Sequence, residues 1–141
     1  MIEPWDGTPF GGAKLALFLG ADLLVYLRDE RPGLPWPGHW DLPGGGREAG
    51  ETPLDCVLRE TAEEFGLALP ASALHWGRAH DAGLAATWFF VARQPEALAG
   101  RIVFGEEGQV WRLVPAEAFL GSRTAIPPLQ HRLRAALACG A

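Results

Sequence analysis

Three glutamates, Glu60, Glu63 and Glu64, stand three and four residues apart in a stretch whose pattern predicts a helix over Pro53 to Phe65. At about 100° per residue, Glu63 lies roughly −60° and Glu64 roughly +40° from Glu60, so the three carboxylates share one arc. Seven of the chain's 17 acidic residues fall between Asp41 and Glu64, which concentrates the negative charge there. Like charges at these spacings repel by about 0.2–0.5 kcal/mol per pair in an isolated helix. Arg59, four residues before Glu63, offsets part of this. The arrangement wants a cation. All-oxygen donors select hard ions such as Mg²⁺ or Mn²⁺, which keep several waters and bridge to substrate phosphates. Upstream, Gly44-Gly45-Gly46 lets backbone approach a ligand and can turn a carbonyl toward a metal. A metal so held polarises a phosphoryl oxygen and lowers the pKa of bound water. A carboxylate not wholly committed to the metal can then serve as general base. Taken alone, an acidic helical face is ordinary solvated surface. The glycine run beside it points to chemistry.

The spacing extends further. Gly45, Glu51 six residues on, and Arg59-Glu60-Thr61-Ala62-Glu63-Glu64-Phe65-Gly66-Leu67 resemble the signature of the Nudix hydrolases, G-x5-E-x7-R-E-U-x-E-E-x-G-U with U aliphatic. Every fixed position is matched, and Thr61 alone departs, a β-branched residue at an aliphatic position. The motif spans 23 residues, Gly45 to Leu67, and Trp40-Asp41-Leu42-Pro43 extends the likeness upstream.

The resemblance implies an α/β domain, a Nudix-like α/β/α sandwich with a mixed β-sheet between helices, taking the whole chain, 1–141, as one domain. It also implies metal-dependent hydrolysis of a phosphoanhydride in a small nucleotide substrate, with Mg²⁺ or Mn²⁺. Carried over by residue, Glu60 and Glu64 are the principal metal ligands, Glu63 assists, and the Gly44 carbonyl is a further ligand. Glu60 is also the water-activating base, Arg59 orients it, and Glu51 braces the loop against the helix. In the MutT-like branch another carboxylate comes from a late loop; Glu107 fits that setting and Glu106 is its alternative. Arg28 is a phosphate contact, and Gly45 and Gly46 line the substrate path; apart from the resemblance, Trp36 in the Pro-rich loop is the best candidate for stacking on a base. The leading reaction is (d)NTP pyrophosphohydrolysis. A nucleotide-sugar or dinucleoside-polyphosphate hydrolase and a catalytically inert nucleotide sensor are its rivals.

Other elements must position these groups. Ala13–Leu19 and Leu23–Arg28 flank Gly20-Ala21-Asp22 and read as a β-hairpin. Asp29 to His39 is loop, given Pro32, Gly33, Pro35, Pro37 and Gly38. A short strand is expected at Trp40–Leu42, with regular structure stopping at the glycines. Thr52, Pro53 and Gly66 suit the N-cap, first position and C-terminal end of the helix. Strands at Leu74–His80 and Leu84–Arg93 around Asp81-Ala82-Gly83, and further strands at Arg101–Phe104 and Val110–Val114, complete the sheet. From Leu129 a second amphipathic helix closes the chain.

Composition bounds the rest. With 141 residues, the chain has the commonest length for one domain. A net charge of −5 argues against affinity built on nucleic-acid phosphates. Cys56 and Cys139 form no CxxC pair, and the acidic N-terminus is unlike a signal peptide, so a cytoplasmic location is expected. No apolar stretch is long enough to span a bilayer, so no membrane partner is expected, and the chain is read as a monomer or homodimer. His39, His75, His80 and His131 lack metal-ligand spacing, and Cys56 reads as a small buried thiol. Trp88 and Phe90 are more readily core residues than stacking platforms. The chain has no asparagine, the side chain that MutT-like enzymes use to read oxidised guanine. The corresponding loop is expected at Gly121–Pro128, where Ser122, Arg123 and Thr124 carry the polar groups. Weak preference for an oxidised guanine nucleotide follows.

Overall fold

A computed structural model describes residues 1–82 and 85–141. Its centre is a long apolar strand, β1 (Phe10–Leu19), whose alternate side chains feed two separate cores. The parallel neighbour β6 (Ala85–Gln94) lies along one side of it. Along the other side, two partners divide its length. Beyond the tight turn at Gly20, β2 (Asp22–Leu27) pairs with its C-terminal end, and β4 (Gly44–Gly46) pairs with Gly12–Lys14. β5 (Leu74–Ala82) extends the sheet from β6, while β3 (Trp40–Asp41) and β7 (Val110–Val114) both pair with β2. The seven-stranded sheet is therefore mixed, with β1 and β6 its parallel pair.

Helix α1 (Pro53–Phe65) covers one face and α3 (Pro127–Ala138) the other, with the short α2 (Ala116–Leu120) beside α3. Leu15, Leu17, Phe65 and Phe90 meet under α1; Phe89, Val91, Leu129 and Leu133 meet under α3. This is the α/β/α sandwich expected. The α1 boundaries coincide with the sequence reading because its ends are set locally. The Thr52 hydroxyl accepts from the Asp55 N–H, Asp55 accepts from the Thr52 N–H, and Gly66 is left-handed at φ 66°. Thr61 fits its buried position because its hydroxyl donates to the Val57 carbonyl at 2.8 Å.

Three expectations need correction. Gly44–Gly46 does not end regular structure: it is a strand, and its bare backbone allows an approach to β1 that side chains would block. A Cβ on Gly44 would collide with the Ala13 carbonyl, and one on Gly12 would lie 2.5 Å from the Gly45 carbonyl. The segment Arg101–Phe104 is not a strand. Glu96–Arg101 forms a 3₁₀ turn, after which Val103 and Gly105 donate to the Phe65 and Glu64 carbonyls and cap α1. The third helix begins at Pro127, two residues before Leu129, and α2 precedes it unanticipated. Phe90, 1% exposed on the α1 side and stacked on Trp88, belongs to the core as expected. Gly83 of the expected turn and Leu84 at the start of the expected strand lie outside the described residues.

Candidate active site

The acidic face of α1 looks onto β4. Glu60 packs against Gly45 so closely that a Cβ there would sit 2.7 Å from its carboxylate. Glu64, only 9% exposed, accepts the Gly44 N–H at 2.8 Å. Glycine at Gly44 allows the close approach of β4 to β1, and glycine at Gly45 leaves room for the Glu60 carboxylate against β4.

Arg59 is the hub of the outer half. Its guanidinium grips Glu51 with two bonds, from Nε at 2.6 Å and from Nη2 at 3.0 Å. Nη1 reaches Glu60 at 3.0 Å and Glu63 at 3.1 Å, and Nη2 donates to the Gly46 carbonyl at 2.8 Å. The Arg59 hydrogen bond holds the Glu51 carboxyl below its usual range, and the Glu51 hydrogen bond in turn raises the guanidinium's pKa. Loop, strand and helix are tied through one side chain.

The inner carboxylates behave differently. Burial raises Glu60 against the opposing pull of Arg59. Glu64 is pushed up to about 7 by burial, with Lys14 and the Gly44 N–H only partly compensating. Two half-compensated carboxylates beside an outward carboxylate make an oxygen donor set that fits a hard divalent ion. Glu60, Glu63 and Glu64 could hold it. It is not a ready-made cage: among the described residues no three acidic, histidine or cysteine side chains stand together at one point. The Gly44 carbonyl, expected as a ligand, accepts from Lys14 Nζ at 3.1 Å.

Lys14, the chain's only lysine, is the functional residue that motif reading missed. Its ammonium bonds Asp41 at 3.0 Å and the Leu42 and Gly44 carbonyls at 3.1 Å. Asp41 is fully buried and also accepts from Tyr26 Oη, from Arg28 Nη1 and from the Leu42 N–H, all within 2.9 Å. Burial opposes ionisation of Asp41, but Lys14 and the hydrogen bonds outweigh it and hold its carboxyl below the ordinary value. Arg28, expected as a phosphate contact, thus has Nη1 committed to Asp41 and Nε to the Pro35 carbonyl while still lining the cleft. A lysine interrupting the apolar alternation of β1 was the available signal.

These groups surround a cleft of about 760 Å³, walled by Glu60, Glu63 and Glu64 on one side and Lys14 and Arg28 on the other. Glu106 and Glu107 both line it and both are exposed, so position does not separate them. Their loop is brought here by the Val103 and Gly105 bonds to the end of α1. A second cleft of about 360 Å³ shares Lys14, Arg28, Gly45 and Gly46 with the first, and is walled by Trp36, Ile126, Pro128 and Leu129. Trp36 is 42% exposed and adopts φ 52°, a left-handed conformation costly for an aromatic residue. The loop expected to contribute Ser122, Arg123 and Thr124 gives this cleft Ile126 and Pro128 instead; its polar lining on that side is Arg132.

Comparison with known proteins agrees with this architecture. A family model described as NUDIX domain matches residues 13–137. A Mycobacterium tuberculosis protein named "Putative 8-oxo-dGTP diphosphatase 2", the same in two strains, is 46% identical over 52 residues, 37% of this chain. The chain spans only 36% of the length of that relative. The Nudix hydrolase RenU from M. smegmatis is 26% identical, with a TM-score of 0.72 over 94% of this chain and 88% of its own. A MutT protein from Methanosarcina mazei Go1, at 20% identity, shares the fold with a TM-score of 0.67 over 89% of this chain and 91% of its own. With the signature, the sandwich and the family model in agreement, the chain belongs to the Nudix family.

Proposed function

We propose that this Nudix protein is a (d)NTP pyrophosphohydrolase that releases pyrophosphate and a nucleoside monophosphate. The observation that carries the reading is the pair of joined clefts. One is rich in charged groups and has room for a polyphosphate; the other is smaller, largely apolar and flanked by an exposed tryptophan on which a flat base can stack.

In this reading Arg28, at the junction, orients the phosphates, and Lys14, whose three N–H bonds go to Asp41 and the Leu42 and Gly44 carbonyls, contributes its charge. Glu60, half-buried and raised in pKa, takes a proton from the attacking water as its oxygen bonds to phosphorus and the anhydride P–O bond breaks. Arg59 fixes Glu60, and Glu51 fixes Arg59 through its two-bond grip. Glu60, Glu63 and Glu64, with Glu107, would hold a divalent ion, Mg²⁺ or Mn²⁺, which would supply charge stabilisation at the phosphoryl oxygens.

A release assay for phosphate and pyrophosphate tests this across dNTPs, NTPs, nucleotide sugars and dinucleoside polyphosphates. Pyrophosphate from the triphosphates is expected; turnover confined to either other class would overturn the reading. Glu60→Gln should keep the fold and lose about 10²–10⁴ in kcat, the span of general-base catalysis. A loss of only a few-fold in folded protein would place the base elsewhere, with Glu107 the next to test.

A further inference from the structure

The apolar cleft has a polar end. Thr87 on β6 and Arg132 on α3 line it, and His80 on β5 pairs in register with Thr87. Thr87 Oγ1 and His80 Nε2 are buried atoms with no hydrogen-bond partner among the described residues. Arg132 forms no ion pair among the described residues, and burial depresses its pKa. A half-buried guanidinium without a carboxylate is unusual, because buried charge is ordinarily paired. Its donors cannot accept, so whatever seats here must bring acceptors.

We propose that Arg132 reads the O6 and N7 edge of guanine, making guanine nucleotides the substrates of this site. The inference rests on the triphosphate reading above and deepens it. Guanine presents two adjacent acceptors on that edge, which an arginine engages with two parallel N–H bonds. Adenine places an amino donor beside N7, cytosine presents an amino donor, and thymine offers a single carbonyl. In each the guanidinium loses a partner or meets a donor. 8-Oxoguanine carries a hydrogen on N7, so the oxidised base turns a donor toward Arg132. The same contact that selects guanine thus works against its oxidised form. Sequence reading, resting on the missing asparagine, expects only weak preference for the oxidised base; Arg132 makes dGTP the better substrate.

Binding of dGMP, 7-deaza-dGMP, dAMP and 8-oxo-dGMP, measured by calorimetry, tests the contact without turnover, and kcat/KM on the matching triphosphates tests it in the reaction. Wild-type protein should favour dGMP over 7-deaza-dGMP and dAMP by about tenfold or more. Arg132→Met should bring the three to equal affinity, and Arg132→Lys should keep part of the preference. The 7-deaza comparison uses wild-type protein alone, so it stands even if a variant folds poorly. Equal affinity for dGMP and 7-deaza-dGMP in wild type, or an unchanged ratio in folded Arg132→Met, overturns the proposal. Should dNTPs turn over without base preference, the function stands and the contact fails. Should dGMP bind selectively while no triphosphate is cleaved, the contact stands and the function fails.

Discussion

Asp41 shows how a single buried charge organises this cleft. It lines the apolar cleft, with Lys14 and Arg28 as counter-charges and Tyr26 as donor. Removing one member of a buried pair leaves the others uncompensated, at a cost of about 3–5 kcal/mol. Lys14 and Arg28 keep 21% and 19% exposure, which solvates them in part, so Asp41→Asn should cost about 3 kcal/mol near neutral pH. Asp41 is held below its unfolded pKa, so its contribution is present above that value and is lost as pH falls through the folded one. Denaturant unfolding of wild type and Asp41→Asn should therefore differ most at pH 7 and begin to converge only below about pH 4, as pH falls through the folded value. A difference that stays constant down to acid would show that the carboxylate's charge is not what stabilises. None of this network was legible in the sequence as a role. Lys14 and Asp41 are 27 residues apart, and only the pairing of β1, β2 and β3 brings them together.

Among the elements, α1 and its glycine strand divide the work. The helix was fully legible because Thr52, Asp55, Pro53 and Gly66 act within a turn of its ends. The strand was not, because its partner residues Gly12–Lys14 lie about thirty positions away and glycine carries no strand signature. The same cause hid the cap at Val103 and Gly105: an apolar stretch that reads as a strand spends its N–H groups on helix carbonyls instead. Gly45 makes the interplay testable. A methyl there meets only the far end of the Glu60 side chain, which can swing away. Gly45→Ala should leave the melting temperature within about 2 °C of wild type, since surface-side changes of this kind cost roughly 0.5 kcal/mol. It should still lower kcat by about a hundredfold, because displaced catalytic groups cost that much. Thermal melts and a turnover assay on one preparation check both halves. Near-normal activity would mean that the contact between Glu60 and β4 does not govern the reaction.

At the scale of the whole molecule, the protein holds several carboxylates around one cleft of a sandwich with a packed core on each face of its sheet. No helix is long and apolar enough to cross a membrane among the described residues, and the two faces of the sheet are already covered by α1 and α3. The strain of the acidic cleft is therefore borne by the core. Glu64 shows it: its carboxyl is raised to about 7, so burial costs the ionised form free energy that an ion would return. An ion that binds only the folded state stabilises it by mass action, about 1.4 kcal/mol at ten times its dissociation constant. For a chain of this length that is a rise of about 3–5 °C in melting temperature. Glu64→Ala should start from an equal or higher melting temperature in chelator, because it removes a poorly compensated carboxylate. It should then gain little on adding Mg²⁺ or Mn²⁺. Paired melts in chelator and in a metal series decide the point. An equal metal-dependent rise in wild type and Glu64→Ala would remove Glu64 from the proposed ligand set and leave Glu60, Glu63 and Glu107 to account for it.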